Sequence, residues 1–342
     1  MREYTKAFNT CAKWGFENHT WNKVENHKAT YKLIRESGSL PSSLVQGARD
    51  CACEALKAEK CKTLPKRKLF ASMRYNQRVA TVNMIHGIAT IATTGGRVKA
   101  AFHVPDSYLP YLGWTVKGST LSYRRDTKDF YLHVSIEAAN PAVVSDIKVL
   151  GIDRGIKNIA VCSDNKFFNG KAVKNVRGEY AKLRAELQSK GTRSAKRKLK
   201  EMSGRERRFV TDVNHCIAKS IVNTGYTVFA LEDLGKIRVQ KRKGKELDRK
   251  LNNWSFYQLE RFIGYKAEAL GKRVILIDAR YTSQKCSVCG HVYKGNRNGS
   301  DFLCHNCGFH LHADLNASRN IAQAGISCLG RLPVNQPNVA SI

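Results

Sequence analysis

The sequence predicts a mixed α/β chain with a small metal-bound hairpin inserted before its last helix, preceded by helices and a module of short strands. Three observations carry this. Two Cys-x-x-Cys knuckles, Cys286/Cys289 and Cys304/Cys307, are separated by fourteen residues. Apolar strand-like runs that end in carboxylates alternate with helical segments from residue 147 onward. Between residues 78 and 139 the hydrophobic period shortens to that of strands broken by Gly-Gly, Lys-Gly-Ser and Arg-Asp-Thr-Lys-Asp turns.

The knuckles come first because their chemistry is the most specific. Four thiolates converging from two tight turns suit tetrahedral Zn²⁺, and each second cysteine is followed by a glycine, Gly290 or Gly308, that eases the turn. The competing reading is two disulfides or idle thiols. Eleven cysteines without a secretory leader favour a reducing compartment. The seven outside the knuckles (Cys11, Cys51, Cys53, Cys61, Cys162, Cys216 and Cys328) are then expected as small core residues.

Composition narrows the partner. In 342 residues, 42% are hydrophobic, which excludes wholesale disorder. A formal charge of +31 exceeds what solubility needs and points to a polyanion. No apolar run is long enough to span a bilayer, so nucleic acid is favoured over membrane.

In chain order, residues 3–18 place Phe8, Cys11, Ala12 and Phe16 on one helical stripe. A second helix follows Pro41, with Leu44, Ala48, Cys51, Ala52 and Ala55 inward. The strand-rich segment to about Ala139 then reads as a small barrel. At IKVLGIDRGIKNIAV two apolar strands flank a turn, and Asp153 ends the first; a carboxylate in so apolar a setting must be paired or metal-bound. Residues 180–208 are helical and densely basic. Strand 226–231 delivers Glu232 and Asp233, a basic loop follows, a helix starts near Trp254, and RVILID forms another strand. Asp314 opens the helix after the second knuckle, where an acidic residue can also serve simply as a dipole partner. The order strand-Asp, helix, strand-Glu, helix, strand, helix-Asp is that of a mixed α/β nuclease core. Asp153, Glu232 and Asp314 placed this way can hold two divalent ions, and all-oxygen ligation selects Mg²⁺ or Mn²⁺.

The segments GIDRGIKNIAV, ALEDLGKIR, NWSFYQLERFIGYKAE, RYTSQKCSVCG and CHNCGFHLHADLNASRNIA resemble the RuvC and zinc-ribbon motifs of the TnpB family, relatives of compact type V CRISPR effectors. The resemblance spans about residues 147–326. It implies an RNase H-like RuvC core with an inserted zinc ribbon, Asp153, Glu232 and Asp314 as catalytic metal ligands, and Cys286, Cys289, Cys304 and Cys307 on zinc. It implies RNA-guided cleavage of DNA beside a short flanking motif, with guide RNA and target DNA as partners in a prokaryotic or phage-encoded, cytoplasmic, nucleoid-associated protein. The domains expected are a helical recognition segment (1–76), a β-barrel wedge domain (77–143), the RuvC core in two parts (144–280 and 312–326), the ribbon (281–311) and a tail (327–342). Nucleic-acid contacts are expected from Lys182, Arg193, Lys196, Arg197, Lys198, Arg205, Arg208, Lys236, Arg238, Lys241, Arg242 and Lys243. Two departures stand out: the first motif reads Asp-Arg-Gly where Asp-Leu-Gly is more usual, and Met1 already falls within the first helix, which leaves closure of the wedge barrel open. The alternatives are a guide-dependent DNA-binding regulator that cleaves weakly, a zinc-ribbon RNA-binding or transposition accessory protein, and a transposase, for which no Tyr or Ser recombinase constellation is evident.

Overall fold

The computed structural model describes residues 1–125, 127–234 and 256–330. They form two units, Met1–Ala139 and the residues from Asn140 on.

In the first unit, α1 (Arg2–Glu17) and α3 (Ser42–Ala58) meet along the expected stripes. Tyr4, Phe8, Cys11 and Ala12 pack against Leu44, Ala48, Cys51 and Ala52. Between them lies α2 (Lys23–Glu36), a helix that hydrophobic periodicity does not predict. Its buried residues are Asn26, Thr30 and Ile34, while Val24 and Leu33 are exposed, so the inward face is written mostly in polar residues. Those residues are satisfied locally: Asn26 Nδ2 donates to Cys11 O at 2.9 Å and Thr30 Oγ1 to Asn26 O at 2.7 Å. The Asn22 side chain caps the helix by accepting from Val24 N at 2.9 Å.

The strands of this unit are β1 (Met73–Tyr75), β2 (Ala80–Asn83), β3 (Ile88–Thr93), β4 (Gly96–Ala101), β5 (Thr115–Tyr123) and β6 (Phe130–Glu137). They pair antiparallel in two three-stranded sheets, β1-β5-β6 and β2-β3-β4, and no ladder among the described residues joins the two into a closed barrel. Every residue of β4 is exposed, so its alternation buries neither face. The Tyr75 hydroxyl, donating to Ala92 O at 3.0 Å, links one sheet to the other through a side chain instead.

The second unit is a five-stranded mixed sheet with order β11-β10-β7-β8-β9. Its strands are β7 (Val149–Asp153), β8 (Asn158–Cys162), β9 (Phe167–Asn169), β10 (Val228–Glu232) and β11 (Arg273–Ile277). Strands β7, β10 and β11 run parallel, whereas β8 and β9 are added antiparallel. Side chains alternate across the central strands. Leu150, Ile152, Phe229 and Leu231 pack with Ile217, Ile221, Leu259 and Ile263 from α6 (Arg205–Val222) and α7 (Phe256–Glu268). Val149, Ala230, Ile275 and Ile277 pack with Ile321 of the last helix, α8 (Ala313–Leu329). The basic segment expected to be helical is divided at Gly191 and Gly204, both at positive φ, into α4 (Lys171–Lys190), α5 (Arg193–Met202) and α6. The ribbon contributes β12 (Arg297–Asn298), β13 (Asp301–Leu303) and β14 (His310–His312), an antiparallel sheet.

Of the seven cysteines expected in cores, Cys11, Cys51, Cys53, Cys61 and Cys162 are buried, but Cys216 and Cys328 are exposed. Both lie on helices that are amphipathic, so residue type alone does not tell which face a cysteine takes. Among the described residues no helix is long and apolar enough to cross a membrane.

Helix α8 lies so close to β7 that Gly151 leaves no room for a side chain. A Cβ there would stand 2.0 Å from Ser318 O and 2.4 Å from Ala322 N, both backbone atoms. Gly151→Ala should therefore push α8 off the sheet and cost about 1–3 kcal/mol, read as a lowered melting temperature; an unchanged melt would show that the helix can shift freely.

Candidate active site

Parallel strands bring their C-terminal ends together, and here that edge collects acid. Leu231 is in register with Ile152, so Asp153 and Glu232, the residues that follow, end adjacent strands. Asp314 approaches from the first turn of α8. Burial, then the charges of Glu232 and Asp314, push the Asp153 carboxyl up to about 8, against the opposing pull of Arg297 and Arg154. Burial likewise raises Glu232, although Thr282, Arg154 and Arg297 work the other way. Asp233 is exposed, unlike its neighbour Glu232.

Two of the three carboxylates, Glu232 and Asp314, have positioning partners. The Thr282 hydroxyl makes a very short hydrogen bond to Glu232 Oε1. Asp314 Oδ2 accepts from Asn158 Nδ2 at 3.0 Å, and its Oδ1 accepts from Arg297 Nη2 at 2.8 Å. Arg154, the departure noted in the first motif, has a side chain only 1% exposed; it pairs with Glu260 of α7 at 2.8 Å and donates to the backbone carbonyl of Glu232. It thus braces the end of β10 against α7. Thr282, Asn158, Arg297 and Glu260 were not singled out by motif reading, since none carries a spacing signal; only the fold brings them to the acids.

Metal fit differs between the two candidate centres. The four knuckle sulfurs all lie within 4.8 Å of one another, the one such group of ligand atoms among the described residues. Cys286 to Cys307 is 3.8 Å and Cys289 to Cys304 is 3.6 Å. A tetrahedron with Zn–S bonds of about 2.3 Å has edges of about 3.8 Å, so the thiol set fits zinc. The amide of His291, with help from the neighbouring side chains, draws the Cys289 thiol down to about 6. Despite the amide of Phe309, which pulls the other way, the crowded thiols push Cys307 up to about 12; a cation among them would remove that conflict. The carboxylate set is oxygen-only, largely buried and repelling at Asp153, with the Arg297 guanidinium already standing against Asp314 as a positive charge. Such a set suits hard divalent ions.

The ribbon and the acids are mechanically joined. Asn316 Nδ2 of α8 donates to Lys285 O at 2.8 Å, and its Oδ1 accepts from Ser287 N at 3.0 Å, on either side of Cys286. Asn320 Nδ2 donates to Thr282 O at 2.8 Å and to Lys285 O at 2.6 Å.

Of the basic residues expected to meet nucleic acid, Lys182, Arg193, Lys196, Arg197, Lys198, Arg205 and Arg208 are all exposed on α4 to α6. Lys198 and Arg205 are partly engaged by Glu201, at 3.3 and 2.8 Å. Lys236, Arg238, Lys241, Arg242 and Lys243 lie outside the described residues, as do Trp254 and the tail beyond residue 330.

Comparison with known proteins agrees with this architecture. A family model described as "Probable transposase" matches residues 131–250, and "Cas12f1-like, TNB domain" matches residues 256–321. The chain is 30% identical over 232 residues to a CRISPR-associated endodeoxyribonuclease Cas12f1 of Sulfoacidibacillus thermotolerans, covering 61% of this chain and 53% of that protein. It is 26% identical to the putative RNA-guided DNA endonuclease InsQ of Escherichia coli (strain K12), covering 95% of this chain and 89% of that one. A TnpB-like protein of Methanocaldococcus jannaschii is 34% identical over 157 residues, covering 44% of this chain and 56% of that protein. The chain thus spans about half the length of two of these relatives and most of the third. A solved Cas12f1-sgRNA-target DNA complex shares the fold, with a TM-score of 0.58 over 94% of this chain and 81% of that one, at 14% identity.

Two measurements test the site. Purified protein should carry about one zinc per chain, and Cys304→Ser should lose it together with the order of the ribbon; elemental analysis finding no zinc would overturn the assignment. The second concerns Asp153. Without added Mg²⁺, its folded carboxyl keeps its proton to about pH 8, while an unfolded one releases it near pH 4. The folded state then binds more protons across that window, so this contribution to stability is present at low pH and is lost as pH rises. Asp153→Asn should therefore become progressively more stable than the wild type from about pH 4 to about pH 8; parallel melting curves would contradict it.

Over the matched segments the chain is thus similar to TnpB-like proteins and to Cas12f1, and it shares the fold of the latter.

Proposed function

We propose that this chain is an RNA-guided DNA endonuclease that hydrolyses phosphodiester bonds at the Asp153, Glu232 and Asp314 carboxylates. The observation that carries the reading is the meeting of these three acids at one sheet edge, with Asp153 pushed up to about 8 by burial and by the other two. Sheet order β9-β8-β7-β10-β11, with the two strand-borne acids on adjacent parallel strands, supports an RNase H-like RuvC core. The names of the relatives support RNA guidance and DNA as substrate.

Two Mg²⁺ or Mn²⁺ ions at the carboxylates would activate water and stabilise the leaving 3′ oxygen. The protein's own contribution is placement. Thr282 orients Glu232, Asn158 orients Asp314, and Asp153 gives up its proton once positive charge is present. Burial of the acids keeps their field strong. Zinc at the four cysteines has no open position and is structural. Pairing with the guide would supply sequence specificity, while the protein would read a short flanking motif and the heteroduplex by shape and backbone charge. The helices of residues 1–76 would serve recognition, residues 77–143 would form the wedge, and the exposed cations of α4 to α6 would hold nucleic-acid backbones.

A guide-dependent binder that cleaves weakly is the second reading, favoured by one contact: Arg297 neutralises Asp314 at 2.8 Å, where an ion would have to compete.

Replacing Asp153, Glu232 or Asp314 by Ala should lower Mg²⁺-dependent, guide-directed DNA cleavage by on the order of a hundredfold or more, since each removes part of a charge stabilisation of several kcal/mol. Guide binding should persist, and Asp233→Ala should cleave normally. Any of the three variants cutting near the wild-type rate would remove that residue from the site, and a wild-type protein that binds guide and target without cutting would establish the second reading.

A further inference from the structure

The open end of the β1-β5-β6 sheet carries an aromatic series that the nuclease reading leaves unused. Tyr123 and Phe130 are the last cross-strand pair of β5 and β6, with ring centroids 5.0 Å apart. Phe70 continues the series at 5.3 Å from Tyr123, and the Arg2 guanidinium lies 5.0 Å over the Phe70 ring. On the other face of β6, Arg124 lies 5.8 Å over Tyr131. The outermost ring is open to solvent: Phe130 is 60% exposed, on the edge strand β6.

Two features argue that this is more than a frayed edge. Phe70 sits at φ 64°, a left-handed conformation that bulky residues rarely adopt, and Arg125 Nη2 fastens the preceding carbonyl, Leu69 O, at 3.1 Å. The chain is therefore bent on purpose to bring that ring onto Tyr123. The surroundings are also cationic, with Arg2, Lys68, Arg124, Arg125 and Lys128 exposed against one exposed acid of the same turn, Asp129, among the described residues. An apolar partner protein would gain nothing from that charge, whereas a base on a phosphate backbone matches both the rings and the cations.

We propose that Phe130, Tyr123 and Phe70 form a stacking platform for an unpaired base of the RNA, with the neighbouring arginines and lysines on its phosphates. Duplex DNA hides its base faces within the stack, while RNA loops and ends present them, so the RNA is the occupant. This identification of the strand rests on the RNA-guided reading above; the platform itself does not.

The test uses the full chain and a short single-stranded oligoribonucleotide bearing 5-iodouridine, photocrosslinked and mapped by mass spectrometry. Wild-type protein should form an adduct at Phe130, Tyr123 or Phe70. Phe130→Ala and Phe130→Leu should each lower its yield by roughly fivefold or more, the lower part of the range for one stacked base, while Phe130→Trp keeps it. Because stacking is not ionic, the loss in Phe130→Ala should be the same at low and high salt, whereas that of Arg2→Gln should shrink as salt rises. Adducts confined to other segments would overturn the platform, as would Phe130→Leu behaving like wild type. Equal crosslinking of the matching oligodeoxyribonucleotide would overturn the assignment to RNA. Phe130 is exposed, so its variants should melt like the wild type, and the wild-type adduct decides the question without them. A missing adduct in a protein that still cuts under guide direction sinks this platform alone; loss of guided cutting with the adduct intact sinks only the nuclease reading.

Discussion

Helix α8 holds the site together through two asparagines that grip a turn of backbone. Asn316 and Asn320 satisfy Lys285 O, Ser287 N and Thr282 O from within a buried interface. In such a place an unmade hydrogen bond costs about 1–3 kcal/mol, so the helix and the turn hold one register. That register has consequences in both directions along the chain. Toward the knuckles it fixes Cys286, and with it the thiolate cluster. Toward the sheet it fixes Thr282, whose hydroxyl holds Glu232. The same helix begins with Asp314 and lies on Gly151, two residues before Asp153. One packed helix therefore joins the three carboxylates to the four-cysteine ribbon, and distortion in either is felt by the other.

Electrostatics then opposes what packing has assembled. Three largely buried acids repel, and two effects offset this. Burial and the neighbouring acids push Asp153 toward its neutral form, while Arg297 and Arg154 supply positive charge. The two arginines act differently. Arg154 is spent on Glu260 and a backbone carbonyl and behaves as a strut, whereas Arg297 bonds directly to an acid of the site from the ribbon. The ribbon thus supplies both order and charge to the carboxylates.

The first unit follows a different logic. Its helices close a core of their own around Tyr4, Phe8 and Leu44, and its strands form two three-stranded sheets with edges and rings exposed among the described residues. Open edges invite pairing and aggregation unless covered or charged. Here the cations around Phe130 and along β4, with Arg97 and Lys99 exposed, provide that protection and leave a surface suited to a polyanion.

Much of the second unit was legible in the sequence because its signals are local. Apolar runs flanking Asp153 and preceding Glu232 could only be buried strands, and the knuckle spacing dictates a tetrahedral thiolate site whatever surrounds it. Helix α2 was not legible, since a face of Asn26, Thr30 and Ile34 has no hydrophobic period, and the group that satisfies Asn26, Cys11 O, is brought opposite only by the fold. Nor could the exposure of Cys216 and Cys328 be read, because a cysteine suits either face of a helix. The sequence by itself determined which residue types carry the chemistry and the elements they end. Tertiary structure alone decided their partners, Thr282 on Glu232, Asn158 and Arg297 on Asp314, Arg154 on Glu260, because these contacts join residues 17 to 156 positions apart and depend on strand order and helix register, which no local pattern encodes.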